Sequence, residues 1–205
     1  MKKYYNIGKN ILFPICRSLT GKGVVKTLKI IQKEFPSLLI KKIRSGSNVF
    51  DWKVPFEWNV VDAYILDKKK NKIVNFKTNN LHLVGYSVPV KKSLKKKELF
   101  KYLYFLKKQP KAIPYVTSYY ERRWGFCVSY NHFKKIEKQY SLKDKFEVVI
   151  KSSLNKKGNL NYGELVLPGK SDQEILISTY ICHPSMANNE LSGPIVSMGL
   201  IDYFR

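Results

Sequence analysis

Apolar positions recur at helical spacing near the start of the chain and again at its end, and between these two stretches the period is mostly two. After the break Thr20-Gly21-Lys22-Gly23, residues Val24, Leu28, Ile31 and Phe35 repeat on one helical face, and Pro36 follows them. This predicts an amphipathic helix with Lys26, Lys29 and Lys33 on its wet side. An earlier helix is predicted over Ile7 to Ile15, with Pro14 near its end. From Leu38 the spacing predicts strands at 38–43, 60–66, 73–76 and 81–90, separated by polar stretches such as Asp67-Lys68-Lys69-Lys70-Asn71. Ser93 can cap a helix running to about Lys107, with Leu94, Leu99, Leu103 and Leu106 as its stripe and Gln109-Pro110 ending it. An irregular aromatic segment, 113–130, follows.

In the last third, Phe146 to Ser152 alternates as a strand. The turn Lys156-Lys157-Gly158-Asn159 predicts a hairpin to Leu160–Leu167. Glu174 to Cys182 is a nearly continuous apolar run, the pattern of a strand buried on both faces of a sheet. Ser192 is positioned as an N-cap with Pro194 in the first turn, and Ile195, Met198, Leu200 and Ile201 continue a helix. No stop signal precedes Arg205, so the expectation is a truncated chain.

Composition supports a packed domain. Of 205 residues, 44% are hydrophobic and 14% aromatic, enough for a real core and unlike a disordered chain. The apolar runs are too short to span a bilayer, and no signal-peptide pattern is read. Cys16, Cys127 and Cys182 are widely spaced and odd in number, which suits a reduced, cytoplasmic protein better than a disulfide framework. The net charge of +23 admits nucleic acid or an anionic surface as partner. The excess is mostly lysine, however; the arginines are Arg17, Arg44, Arg122, Arg123 and Arg205. Arginine is the better reader of bases and phosphates, so a solvated lysine surface is preferred to a nucleic-acid site. The block 119–124 mixes rings and bases as a single-strand site would, but a structural or site-lining role accounts for it at least as well. Phe50-Asp51-Trp52 and Phe56-Glu57-Trp58 read as core rather than as a stacking platform.

The stretch that carries chemistry is 181–194, which joins the run ending at Cys182 to the last helix. His183 follows the expected strand at its carboxyl end, where open α/β sheets bind ligands. Asn189 and Glu190 return six and seven residues later as possible second ligands. Imidazole nitrogen with carboxylate oxygen suits zinc, with a position left for water. On spacing alone a satisfied polar histidine is the commoner outcome.

These residues resemble the co-catalytic zinc exopeptidases, in which a strand ends in a ligating histidine and a loop ending Ala-x-Asp-Asn-x-Ser-Gly supplies a bridging aspartate. Here that loop reads Ala187-Asn188-Asn189-Glu190-Leu191-Ser192-Gly193. More specifically, the chain resembles an uncharacterised bacterial family of aminopeptidase-like proteins with a small inserted domain. Supporting blocks include Pro14–Gly21, Val49–Pro55, Glu57–Asn59, Asp62–Ile65, Tyr86–Val90, Ile113–Tyr120, Trp124–Cys127 and Tyr162–Glu164.

The resemblance implies an α/β, zinc-exopeptidase-like mixed sheet with flanking helices, built from about 1–50 and 140–205. A small α+β inserted domain would occupy 51–139. It also implies metal-dependent hydrolysis of a peptide or amide bond, with a peptide or a small amide-containing molecule as substrate and no membrane partner. His183 would hold zinc, with Asn189 or Glu190 assisting, and the general base and further ligands would lie beyond Arg205. Two positions depart from the broader pattern. Ser185 stands where those enzymes carry an aspartate two residues after the histidine, and Asn189 stands where they carry the bridging aspartate. Neutral asparagine bridges two dications poorly, which implies one metal ion or a differently built site. The rival readings are a non-catalytic peptidase-fold module that binds a peptide or glycan, and a basic nucleic-acid binder.

Overall fold

A computed structural model describes residues 1–205. In chain order the helices are α1 (Lys2–Ile7), α2 (Lys22–Glu34), α3 (Lys96–Leu99), α4 (Tyr130–Gln139) and α5 (Ser192–Phe204). The strands are β1 (Leu39–Arg44), β2 (Asn48–Val49), β3 (Trp52–Lys53), β4 (Glu57–Leu66), β5 (Lys72–Asn75), β6 (Val90–Lys95), β7 (Leu103–Tyr104), β8 (Phe126–Cys127), β9 (Lys145–Asn155) and β10 (Asn159–Glu164). They fall into two compact units, Met1–Glu57 with Asn155–Arg205, and Trp58–Leu154.

The first unit is helical around two two-stranded sheets, β1-β10 and β2-β3. Val24, Leu28 and Ile31 of α2 are buried, as the helical spacing requires. Phe35 ends the helix with an extended backbone, and Pro36 prevents its continuation. Tyr4, Ile31, Phe35, Leu38 and Met198 form one cluster, which joins α1, α2 and α5; Leu12, Ile15 and Leu191 form a second. Each large side chain so buried contributes about 1.5–3 kcal/mol. α1 runs into a π-helical turn, Gly8–Leu12, so the first helix begins at Lys2 and ends before Ile15.

β1 and β10 are antiparallel, with Leu39 opposite Glu164 and Arg44 opposite Asn159. The expected hairpin between the strand at 146–152 and residues 160–167 does not form. Strand β10 pairs with β1 instead, and β9 belongs to a different sheet. The turn explains this. A Cβ on Gly158 would lie 2.1 Å from the Glu57 Cβ, Glu57 Oε2 accepts the Asn159 N–H at 3.0 Å, and the Ser45 N–H donates to Gly158 O. Glycine permits that approach, and the chain leaves the turn aligned with β1.

Residues 174–182 also depart from expectation. They form no strand, and Ile175 and Leu176 are 92% and 90% exposed. A run patterned for burial on both faces needs a strand on each side, and no strand of the chain pairs with it. Ser192 is the first residue of α5, not its cap; its hydroxyl donates to Asn188 O, and Leu191 occupies the cap position.

The second unit is built on the sheet β5-β4-β9-β6, with β6 antiparallel to β9 and β4 antiparallel to β5. Trp58, Ala63 and Ile65 of β4 and Phe146, Val148, Val149 and Ile150 of β9 are buried. The expected helix over 93–107 is replaced by the end of β6, the single turn α3, a 3-10 turn and β7. Pairing outweighs helix propensity there, because Leu94 lies opposite Phe146 in the ladder. The expected strand 81–90 is a 3-10 turn at Asn80–His82 followed by isolated bridges from Leu83 and Gly85, with ladder pairing only from Val90. Helix α4 was not anticipated. Ser129 caps it by accepting the His132 N–H, and Phe133 and Ile136 face inward. Of the aromatic blocks, Trp58 is core, with its indole N–H on Ser87 O at 3.0 Å, whereas Phe50 is fully exposed.

His82 and His132 meet edge to face, with ring centroids 6.3 Å apart. The His82 Nδ1–H donates to Cys127 O at 2.7 Å, because a carbonyl can only accept. Burial lowers both imidazole pKa values from the ordinary 6.5, and at His132 the charge of His82 adds to the effect. Both rings are therefore neutral when folded and bind protons more readily when the chain unfolds. Stability is fully present above pH 6.5 and is lost as pH falls below it toward the folded pKa values. Thermal melts followed by circular dichroism should be flat from pH 8 to about 7 and decline from about 6.5 to 5.5, with a shallower decline in His132→Gln. A second expectation concerns residues 175–180. An exposed apolar run promotes association. Size-exclusion with light scattering should show concentration-dependent oligomers that shrink in the double variant Ile175→Ser/Leu176→Ser. A wild type monomeric at every concentration would overturn this.

Candidate metal centre

The loop that follows 174–182 folds back on itself because of two local features. Ser185 has a positive φ of 49°, a left-handed conformation costing about 1–3 kcal/mol for a non-glycine residue. The Leu191 and Ser192 N–H groups both donate to Ala187 O, closing the turn that opens α5. Together they return Glu190 to His183, and Glu190 Oε1 accepts the His183 backbone N–H at 2.5 Å.

Three donor groups converge here. The ligand atoms of Cys182, His183 and Glu190 all lie within 4.8 Å of one another. Glu190 has 0% exposure, and its second oxygen, Oε2, is buried without a hydrogen-bond partner. Sulfur, imidazole nitrogen and carboxylate oxygen together are zinc's ordinary ligand types, and a buried carboxylate oxygen left unpartnered is a group that a cation would satisfy. The residues therefore fit a metal ion.

Arg17 adds a positive charge to the cluster. It is 1% exposed; Nη1 donates to Leu12 O, while Nε and Nη2 are buried and unpartnered. Burial lowers its pKa, and the charge of Glu190 opposes that shift. The Cys182 thiol is pushed up to about 12, first by burial, then by the nearby Glu190 charge and by a hydrogen bond to that carboxylate. Cys16 is also pushed up to about 12 by burial, with Arg17 opposing.

Two close approaches position these groups. A Cβ on Gly23 would lie 1.8 Å from Cys16 O, so α2 begins directly against the Cys16–Arg17 backbone. A Cβ on Gly193 would lie 1.9 Å from Thr179 Oγ1, so α5 begins against the 174–182 segment. Of the residues read from the sequence, His183 and Glu190 are brought together, while Asn189 lies exposed in the turn. Cys182 and Arg17 were missed as site residues. Adjacency to His183 was the available signal for Cys182. Arg17 lay within the block Pro14–Gly21 but has no local pattern linking it to residue 190.

The mixed α/β fold matches that of a solved structure described provisionally as a peptidase. The chain belongs to the DUF4910 family, a domain of unknown function, which it matches over residues 5–204. It is 50% identical over 182 residues to a Clostridium acetobutylicum protein described provisionally as a polysaccharide biosynthesis protein with an aminopeptidase-like domain. That match takes in 89% of this chain and 40% of the relative. It also matches the crystal structure of a protein of the same species described provisionally as a peptidase, with a TM-score of 0.92 and 46% identity. The match covers 98% of this chain and 46% of that one, so the chain spans less than half the length of either relative. No helix is long and apolar enough to cross a membrane.

Gly23→Ala tests the first close approach. Its Cβ would press on backbone, which cannot swing aside as a side chain tip can. The expected loss is about 1–3 kcal/mol, measured by urea denaturation, whereas Gly46→Ala, with nothing within 4 Å of the added Cβ, meets only the strain of its positive φ.

Proposed function

We propose that this chain is the metal-holding part of a zinc-dependent, aminopeptidase-like hydrolase that acts on a peptide or amide bond. The observation that carries the reading is the convergence of Cys182, His183 and Glu190 within 4.8 Å around a buried, unpartnered carboxylate oxygen. The family and the peptidase-like relatives support the same class. His183 and Glu190 would hold the ion, with Cys182 as a third donor and Asn189 as the reserve oxygen donor on the loop. When bound, zinc supplies a Lewis acid that polarises a carbonyl and makes water nucleophilic near neutral pH. The chain's own residues do the positioning. The His183 N–H fixes Glu190 Oε1 and leaves Oε2 free to ligate, and Arg17 keeps the carboxylate beside a positive charge. The unit 58–154 would be the inserted domain of a larger aminopeptidase-like domain. In the longer protein, residues 174–182 would take strand partners from the length that the relatives have beyond this match.

The description of the C. acetobutylicum relative, which joins polysaccharide biosynthesis to an aminopeptidase-like domain, favours a second reading. In it the chain is a non-catalytic module that binds a glycan or an amide-bearing sugar.

The test is metal analysis by plasma mass spectrometry after purification and zinc loading. The wild type should carry one zinc per chain. His183→Ala should lose it, Glu190→Gln and Cys182→Ser should each weaken it about 10–100-fold, and Asn189→Ala should have little effect. Full occupancy in His183→Ala would remove the proposed site, and a wild type that takes up no zinc would favour the non-catalytic module.

A further inference from the structure

The exposed face of α2 carries a feature that the metal site does not use. At 3.6 residues per turn, Lys22, Lys26, Lys29 and Lys33 fall within about 60° of one another, a stripe about 16 Å long. They line a groove of about 450 Å³ together with Val25, Ile30 and Glu57. Val25 and Ile30 are half-buried and flank the stripe, so the lysines run between an apolar residue on either side. Glu57 is the one carboxylate on its wall, and that carboxylate accepts the Asn159 N–H.

The stripe is built against its own electrostatics. Lys22 with Lys26, and Lys29 with Lys33, are like charges four residues apart, and Lys26 with Lys29 are three apart; such neighbours destabilise a helix. Two lysines elsewhere in this unit are paired, Lys3 with Glu34 at 2.5 Å and Lys41 with Glu164 at 2.5 Å. None of the ion pairs engages Lys26, Lys29 or Lys33.

We infer that this groove is a docking site for an extended acidic peptide segment whose carboxylates alternate with apolar side chains. Carboxylates meet the lysine stripe, and the apolar residues between them, which point to the other side of an extended chain, meet Val25 along one flank of it. At about 3.3 Å per residue an extended segment needs about five residues to span the stripe. Lysine ammonium groups are compact point charges suited to single carboxylates, whereas a planar, bidentate partner would call for arginine. A uniformly charged polymer would leave the apolar sides unused, which is why a peptide fits better than an anionic polysaccharide or a lipid surface.

The test is fluorescence anisotropy with a dye-labelled peptide of alternating Glu and Leu, compared with a Glu-only peptide of equal length. Polygalacturonate and phosphatidylglycerol vesicles serve as competitors. The alternating peptide should bind more tightly than the Glu-only one and weaken steeply with salt. The triple variant Lys26→Gln/Lys29→Gln/Lys33→Gln should bind it at least about 10-fold more weakly while melting at the same temperature or higher. Val25→Ser should weaken the alternating peptide alone. Binding should persist in Ile175→Ser/Leu176→Ser, which removes the other exposed apolar surface. Unchanged binding in the lysine triple variant, equal affinity for the Glu-only peptide, loss of binding in Ile175→Ser/Leu176→Ser, or tighter binding of polygalacturonate or vesicles would each overturn the inference.

Discussion

A carboxylate with no exposure to water loses its hydration, and only donors or cations brought to it can restore that energy. Glu190 is in that position, and the elements around it are arranged accordingly. The His183 N–H reaches one oxygen, which requires the 183–190 loop to double back through the left-handed Ser185. Arg17 supplies a positive charge that acts on it, and the start of α2 lies directly against the Cys16–Arg17 backbone, an approach that Gly23 permits. Leu191, the next residue, is buried with Leu12 and Ile15 and so ties the same loop to the core. The charge requirement of one side chain therefore links the start of the chain to its last helix.

The fold was legible where a single period decides the outcome. Val24, Leu28 and Ile31 share one face on a helix, and β4 and β9 carry period-two burial over part of their length, at Ala63 and Ile65 and at Phe146 and Val148. It was illegible where pairing outside the local window decides. Leu94 and Leu99 sit at helical spacing with Leu103 and Leu106, yet Leu94 is claimed by Phe146 across the sheet. Residues 160–164 alternate as a hairpin partner should, but the contact between Gly158 and Glu57 directs them to β1. No local pattern encodes either event. Helix α4 was missed for the opposite reason. Its signal, Ser129 followed by Phe133 and Ile136, is local but short, and it follows a long irregular aromatic stretch.

The candidate site divides in the same way. His183 and Glu190 belong to one loop, and the resemblance of that loop to the zinc-exopeptidase pattern marks them out where type and spacing alone do not. Cys182 is adjacent in sequence, but residues expected in a buried strand alternate between faces, so its approach to Glu190 depends on 174–182 being irregular here. Arg17 comes from a segment 173 positions before Glu190, and the packing of Leu12 and Ile15 with Leu191 ties that segment to the loop. The unpartnered atoms Arg17 Nε and Nη2 and Glu190 Oε2 could be found only in three dimensions.

Charge counting also limits what the site can hold. Glu190 brings one negative charge. Cys182 brings a second only once its proton leaves, which burial and Glu190 both oppose, as its pKa of about 12 records. His183 is a neutral donor when it ligates, and Asn189 is neutral always. Two negative charges balance one dication. Arg17 contributes a positive charge to the same neighbourhood, so a second dication held by these residues alone would stand uncompensated in a buried setting. The replacement of aspartate by Ser185 and Asn189, relative to the two-metal exopeptidase pattern, is thus consistent with the buried arginine. Fewer carboxylates and an added guanidinium would both lower the number of cations the cluster could accept, which favours one ion over two in the proposed site.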